Sequence, residues 1–140
     1  MLTASSIHTG DTLPSLADVD TEAAALLDLW QRLQMRIRCG LAVRATDHLR
    51  LYLHIGRRIA RRGLASPVAV QLRLLNTLLR TAQDDALPWA WRSACLRHAQ
   101  EPLALLCGLV GPRDPAAMRS IESAVRHARN GLPAAPPERT

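Results

Sequence analysis

Apolar residues recur along most of this 140-residue chain at intervals of three and four, the spacing that puts side chains on one face of an α-helix. The apolar residues, 48% of the sequence, are mostly Leu and Ala, with three Trp, one Tyr and no Phe. Leu and Ala favour helices, and β-branched residues are too sparse to build a sheet. We therefore predict an all-α fold of five or six helices, packed as antiparallel helical hairpins or as a bundle.

The chain is predicted to form a single helical domain over residues 16–131, long enough to bury about two-thirds of its unfolded surface. Residues 1–15 are rich in Ser, Thr and Gly, and residues 132–140 are rich in Pro, so we expect both segments to be disordered. Helix starts are expected near residues 20, 47, 66, 88, 102 and 115. Pro102 is expected to break or kink the chain, leaving a short apolar helix over residues 103–109.

Each predicted helix has an apolar stripe that we expect to face the core. The third helix is apolar around most of its surface, which predicts a central position in the bundle. The expected core residues, in chain order, are Ala23, Leu26, Leu27, Trp30, Leu33, Ile37, Leu49, Tyr52, Leu53, Ile59, Ala60, Val68, Leu72, Leu74, Leu75, Leu78, Leu79, Trp91, Ala94, Cys95, His98, Met118, Ile121, Val125 and Ala128.

Charge is distributed unevenly along the chain. Residues 1–31 contain five acidic and no basic residues, whereas residues 32–62 contain nine Arg against the single Asp47. Clustered charge of one sign produces a field that attracts a partner of the opposite sign. All eighteen basic residues are Arg, which we attribute to the codon bias of a GC-rich bacterial genome rather than to function.

The second predicted helix concentrates this positive charge on one side. Its basic residues fall at i, i+4, i+7, i+8, i+11 and i+12, which share a helix face: Arg50, His54, Arg57, Arg58, Arg61 and Arg62. Like charges at i,i+4 weaken an isolated helix, so an acidic group is expected to compensate them. Four interpretations stay open: a solvated face, a protein partner, nucleic acid, or the chain's own acidic segment around Asp18, Asp20 and Glu22.

Trp89 and Trp91 lie on either side of a predicted helix start. Residues at i and i+2 do not share a helix face, so one Trp is expected in the core and the other at the surface. A Trp that becomes desolvated in a complex contributes strongly to affinity. We therefore add both to the candidate partner-binding residues, as alternatives for an apolar anchor.

Motifs for catalysis, metal binding and cofactor binding are missing from the sequence. The five His show no HExxH or comparable spacing, and the seven Gly do not form a phosphate-binding loop. A Cys95–His98 nucleophile would need a third, orienting group that the sequence does not identify. We therefore expect a protein that is not an enzyme and has no catalytic residues, no metal and no cofactor.

Three cysteines, Cys39, Cys95 and Cys107, form no even pairing scheme and fit no metal spacing. They suit a reducing cytosol, where we expect them to be small buried residues. The first residues lack a basic and an apolar signal region, and no apolar run reaches the ~20 residues of a membrane span. These features predict a cytoplasmic protein without a membrane span.

Residues 88–129 resemble the C-terminal part of the small tetratricopeptide-like chaperones of type III secretion systems, which guard the needle subunit. The matching elements are Pro88 with Trp89 or Trp91, then Cys95 and His98 on one helix. A Leu-rich helix and a terminal helix opened by Asp-Pro-Ala at residues 114–116 follow. The resemblance implies a concave helical surface that sequesters an amphipathic segment of a secreted subunit.

Together these features favour a non-enzymatic helical protein-interaction module, a secretion chaperone or adaptor that binds an acidic or amphipathic segment of a protein partner. A small, basic, nucleic-acid-associated regulator using the same arginines is the first alternative. The second is a secreted substrate, because the Ser/Thr-rich start resembles type III secretion signals. The sequence does not predict the oligomeric state.

Overall fold

A computed structural model describes residues 15–41 and 47–137, and in these ranges the chain forms helices and no strand. The helices in chain order are α1 (Leu16–Arg38), α2 (Asp47–Arg61), α3 (Pro67–Ala82), α4 (Trp89–His98), α5 (Gln100–Val110) and α6 (Pro115–Gly131). This confirms the all-α prediction. The segments predicted to be disordered fall largely outside the described residues, which exclude 1–14 and 138–140.

Capping side chains set three of the helix starts. The hydroxyl of Ser66 accepts a hydrogen bond from the backbone N–H of Ala69 at 3.0 Å, and Pro67 follows it as the first helical residue. Asp114 caps α6 in the same way. In α1 the cap is Ser15, so the helix begins several residues before the predicted start near residue 20.

Glycines end α1 and α2, as predicted. Gly40 and Gly63 have φ values of +66° and +71°, the left-handed region that favours glycine. After α2, the N–H of Gly63 donates to the carbonyl of Ala60 and the N–H of Leu64 to that of Ile59, both at 3.0 Å. This pair of bonds satisfies carbonyls that the end of a helix leaves without a partner.

The central helix is α3, as the sequence predicted, since it packs against all five other helices. Of the predicted core residues of α3, Leu74, Leu75, Leu78 and Leu79 are buried, whereas Leu72 is 39% exposed. The polar residues Gln71, Thr77 and Thr81 are also buried. A helix surrounded by neighbours buries residues according to where those neighbours lie, so hydrophobicity alone did not predict these four positions.

Elsewhere the predicted core is largely correct, with exceptions in α1 and α2. Leu27 is 40% exposed, so the stripe of α1 is narrower than predicted. Ile55 and Gly56, which the sequence did not single out, are buried in α2. A Cβ atom at Gly56 would lie 3.0 Å from a methyl carbon of Leu74, so glycine allows α2 to approach α3 closely.

Pro102 does not break the chain where we predicted. It lies buried in the first turn of α5, which begins at Gln100 rather than near residue 102. Proline removes no helical hydrogen bond there, because first-turn N–H groups have no acceptor within the helix. Only Ala99 separates α4 from α5.

The first two residues of the Pro-rich C-terminal segment 132–140 contact the bundle. Leu132 is half-buried against the core, and the indole N–H of Trp89 donates to the carbonyl of Pro133 at 2.7 Å. In the described part of the chain, no helix combines the length and the apolar character that crossing a bilayer requires.

Candidate functional site

Helix α2 is divided into an apolar side and a basic side. Leu49, Tyr52 and Ile59 are completely buried in the core. This packing turns the opposite side outward, and we call its six residues the arginine face: Arg50, His54, Arg57, Arg58, Arg61 and Arg62. Arg57 is half-buried and the other five are exposed, so the structure gathers the six residues predicted from α2 on one surface.

Two carboxylates partly neutralise the arginine face. Glu101 of α5 forms an ion pair with Arg57, and Glu22 of α1 lies 3.5 Å from the guanidinium of Arg62. Within the described residues, no carboxylate lies within 4.0 Å of the guanidinium groups of Arg50, Arg58 or Arg61. Of the acidic residues considered for shielding the arginine face, Glu22 lies beside it, whereas Asp18 and Asp20 form no ion pair with it within the described residues.

Exposed basic side chains converge on the C-terminal half of α2. His54, Arg58, Arg61 and Arg62 line one open depression of about 440 Å³. Guanidinium groups present several N–H donors in a plane and pair readily with carboxylates or phosphates. The depression is therefore suited chemically to an anionic group.

Two other arginines, which the sequence did not single out, are structural. Arg92 is 8% exposed, and its Nε donates to the carbonyl of Ala82 at the end of α3 at 2.7 Å. The guanidinium of Arg73 stacks over the ring of Trp30 at 4.6 Å, and its Nε donates to Gln34 Oε1 at 2.7 Å. No sequence signal separates these residues from the arginines of the arginine face, because the difference arises from what packs around them.

The tryptophan prediction is resolved in favour of Trp91 as the core residue. Trp91 is 1% exposed and donates its indole N–H to the carbonyl of Ile37 at 3.0 Å, so it is not available as a surface anchor. Trp89 is half-buried, and its N–H is bonded to Pro133. Trp89 is therefore the only one of the two that keeps exposed ring surface, and it stays the candidate for an apolar anchor.

Burial governs the pKa values of Cys95 and His98, the two residues that the sequence offered as a nucleophile pair. Burial raises the pKa of the Cys95 thiol to about 12, which is the opposite of the activation that a nucleophilic cysteine needs. Burial, followed by the charges of Arg50 and Arg97, lowers the pKa of His98. Among the described residues, no group of three or more His, Cys, Asp or Glu side chains is placed to hold a metal ion.

We had expected all three cysteines to be buried, but only one of them is. Cys95 is buried, but Cys39 and Cys107 are exposed. Cys39 directly follows α1, and Cys107 lies on the outer side of α5. Cysteine behaves as a small apolar residue in a core, but nothing in the sequence shows which positions the core reaches.

The position of a surface groove next to the arginine face was not predicted from the sequence. Two adjoining depressions run between α5 and the N-terminal end of α3, and both include Pro67 in their walls. We call them together the α5 groove, which is lined by Arg57, Ala60, Arg61, Ser66, Pro67, Val68, Gln71, Leu105, Gly108, Leu109 and Arg113. The strongly apolar sequence of α5 was the available signal, but it predicts burial rather than a surface groove.

Arg57 and Arg61 belong to both surfaces, so the arginine face and the α5 groove form one continuous region. The region combines positive charge that is only partly neutralised with an apolar floor. No protein-family model, curated protein or solved structure matches this chain.

Proposed function

We propose that this chain is a non-enzymatic protein-interaction module that binds an acidic segment of a partner protein on the arginine face. The main supporting observation is that Arg50, Arg58 and Arg61 have no carboxylate partner within the described residues. The arginines of the face also repel one another: the i,i+4 pairs Arg57/Arg61 and Arg58/Arg62 each weaken α2 by roughly a few tenths of a kcal/mol. A partner's carboxylates remove this repulsion when they bind.

The two internal carboxylates are compatible with such binding because both ion pairs are accessible to solvent. The side chain of Glu101 is 44% exposed and that of Glu22 is 63% exposed. Exposed ion pairs contribute about 0–1 kcal/mol, so a partner's carboxylate can replace either one at little cost. The resemblance to type III secretion chaperones suggests one specific form of this function, in which the acidic segment belongs to a secreted subunit.

Nucleic acid is the second candidate partner, because His54, Arg58, Arg61 and Arg62 line one depression and could hold phosphate. Stacking on unpaired bases requires exposed aromatic rings near the cations. In the described ranges no aromatic side chain lines this depression, and Trp30, Tyr52 and Trp91 are all buried. These observations favour an acidic protein segment over a single-stranded nucleic acid.

The proposal is tested by a pull-down from the native bacterium with the tagged full-length chain, washed in 0.5 M NaCl, with protein and nucleic acid analysed separately. We expect one stoichiometric protein whose binding region is acidic. Nucleic acid retained only at low salt, with no protein, would instead establish the second candidate. Binding to DNA is expected to collapse between about 50 and 200 mM salt.

A charge-matched pair of variants assigns the binding to this surface. Arg57→Ala/Arg58→Ala/Arg61→Ala removes three charges from the arginine face, and the control Arg119→Ala/Arg126→Ala/Arg129→Ala removes three exposed charges from α6. We expect the first variant to weaken partner binding at least tenfold and the control to change it less than twofold. Equal weakening by both would show that net charge alone governs binding and would contradict the proposal.

A further inference from the structure

Helix α5 has the most apolar sequence of the six helices but is one of the least covered. Only Pro102 and Leu106 are buried among its eleven residues. Leu105 is 41% exposed and Leu109 is 37% exposed. A contiguous apolar surface of this kind commonly marks a site of interaction.

The two exposed leucines stand side by side on the α5 groove. They are spaced i,i+4, so they project one turn apart along the same side of α5. Leu105 lines the depression of about 470 Å³ together with Ala60 and Pro67, and Leu109 lines the adjoining depression of about 420 Å³. The floor is therefore apolar over at least one helical turn.

The rim of the α5 groove is positively charged. Arg57 and Arg61 lie along the first depression and Arg113 along the second. Among the residues that the structure describes, no Asp or Glu lines either depression. A ligand that fits this surface carries apolar side chains for the floor and negative charge along its edges.

We infer that the α5 groove binds the apolar side of an amphipathic helix of another protein, whose acidic edges contact Arg57, Arg61 and Arg113. This inference rests on the proposed function and defines the acidic segment more closely. Helices that bind in grooves present apolar residues at i, i+3, i+4 and i+7, which matches two leucine contacts one turn apart. The shared residues Arg57 and Arg61 allow one segment to occupy the arginine face and the groove together.

A second copy of this chain fits the groove less well if the two copies meet groove to groove. Such a symmetric contact is formed by the same patch on both subunits, so each arginine rim would face an identical rim. Like charges brought together at an interface oppose association. The charge of the rim therefore favours a different, acidic protein.

A display library of random 16-residue peptides, selected on the full-length chain, tests the inference. Each enriched peptide is then measured by fluorescence anisotropy against wild type, Leu105→Ser and the control Leu51→Ser. Leu51 is 39% exposed, close to the 41% of Leu105, and does not line the groove. Thermal unfolding of both variants confirms that they remain folded.

We expect the enriched peptides to combine Asp and Glu with apolar residues at helical spacing. Leu105→Ser is expected to weaken their binding about fivefold, because the exposed part of one Leu no longer gains from burial, and Leu51→Ser to leave it unchanged. Acidic peptides without apolar periodicity, unaffected by Leu105→Ser, would overturn the groove inference but leave the proposed function in place. Enrichment of peptides without acidic residues would contradict both.

Discussion

Two arginines whose guanidinium groups contact other parts of the bundle, Arg73 and Arg92, form what we call the inner pair and can be compared with the outer pair, Arg58 and Arg61 of the arginine face. The inner pair is anchored, although Arg92 is buried and Arg73 is exposed: Arg92 caps the end of α3 and Arg73 stacks on Trp30. The outer pair forms no ion pair with a carboxylate in the described part of the chain. The same side chain thus stabilises the fold in one region and is left available for a ligand in the other.

The inner region also contains a polar network that connects three helices. The hydroxyl of Tyr52 lies 3.1 Å from Gln34 Oε1 and 3.0 Å from Thr77 Oγ1, and Gln34 Oε1 also accepts from Arg73. These contacts join α1, α2 and α3. Buried polar groups that are satisfied in this way fix the positions of the helices, and breaking one bond leaves a group unpaired at a cost.

Raising the pH is expected to cause the largest change in stability, because it ionises groups in the inner region. Burial raises the pKa of Tyr52 from 10.0 to about 12 and that of Cys95 from 9.0 to about 12. Both groups lose their protons at a lower pH in the unfolded chain than in the folded one. The free energy of unfolding is therefore unaffected below pH 9 and falls as the pH rises to 12. We expect the loss to reach several kcal/mol, measured by urea unfolding at each pH.

The variant Tyr52→Phe/Cys95→Ala is the control for this prediction, because it removes both ionisable groups. We expect this variant to be less stable than wild type at pH 8. Between pH 9 and 12, however, its free energy of unfolding is expected to fall less steeply with pH than that of wild type. A dependence as steep as that of wild type would show that other groups cause the alkaline loss.

The substitution Arg92→Met is expected to cause the next largest loss of stability. Methionine keeps much of the apolar stem but leaves the carbonyl of Ala82 without its donor, so we expect a loss of about 2 kcal/mol in the free energy of unfolding. Arg58→Met, on the arginine face, is expected to change it by less than about 0.5 kcal/mol. Both variants are measured by chemical denaturation. If Arg92→Met and Arg58→Met lost the same free energy of unfolding, the distinction between inner and outer arginines would be wrong.

Tyr52→Phe at pH 7 is expected to cost about 1 kcal/mol, because it deletes the hydroxyl of the network and leaves the buried Thr77 with one partner fewer. Thermal or urea unfolding gives this value directly. A neutral result would mean that Gln34 and Thr77 find other partners and that the network does not fix the helices.

Glu101→Gln is expected to have the smallest effect and to act on the outer region. Removing this carboxylate frees Arg57 from its ion pair, so binding of an acidic peptide should strengthen about threefold while stability changes little. Glu122→Gln in α6, at an exposed position outside these ion pairs, is the matched control. Equal gains in both variants, measured by fluorescence anisotropy, would show an effect of net charge rather than of Arg57.

The sequence predicted the fold more completely than it predicted the candidate site. Apolar spacing gave the helices and most of the core correctly, because a helix that faces solvent on one side has a single apolar stripe. It failed at Leu72 on α3, where neighbours surround the helix. It also could not predict that Leu105 and Leu109 stay exposed, since no local rule states which apolar helix remains uncovered.

The sequence by itself determined that α2 has one apolar and one basic side, because the positions of its residues around a helix follow from their spacing. It also determined the helix ends at Gly40 and Gly63, where a local backbone requirement selects glycine. Only the tertiary structure decided which arginines are buried, that Trp91 rather than Trp89 enters the core, and that α5 lies next to the arginine face. These outcomes depend on contacts between residues far apart in the chain, which local spacing does not encode.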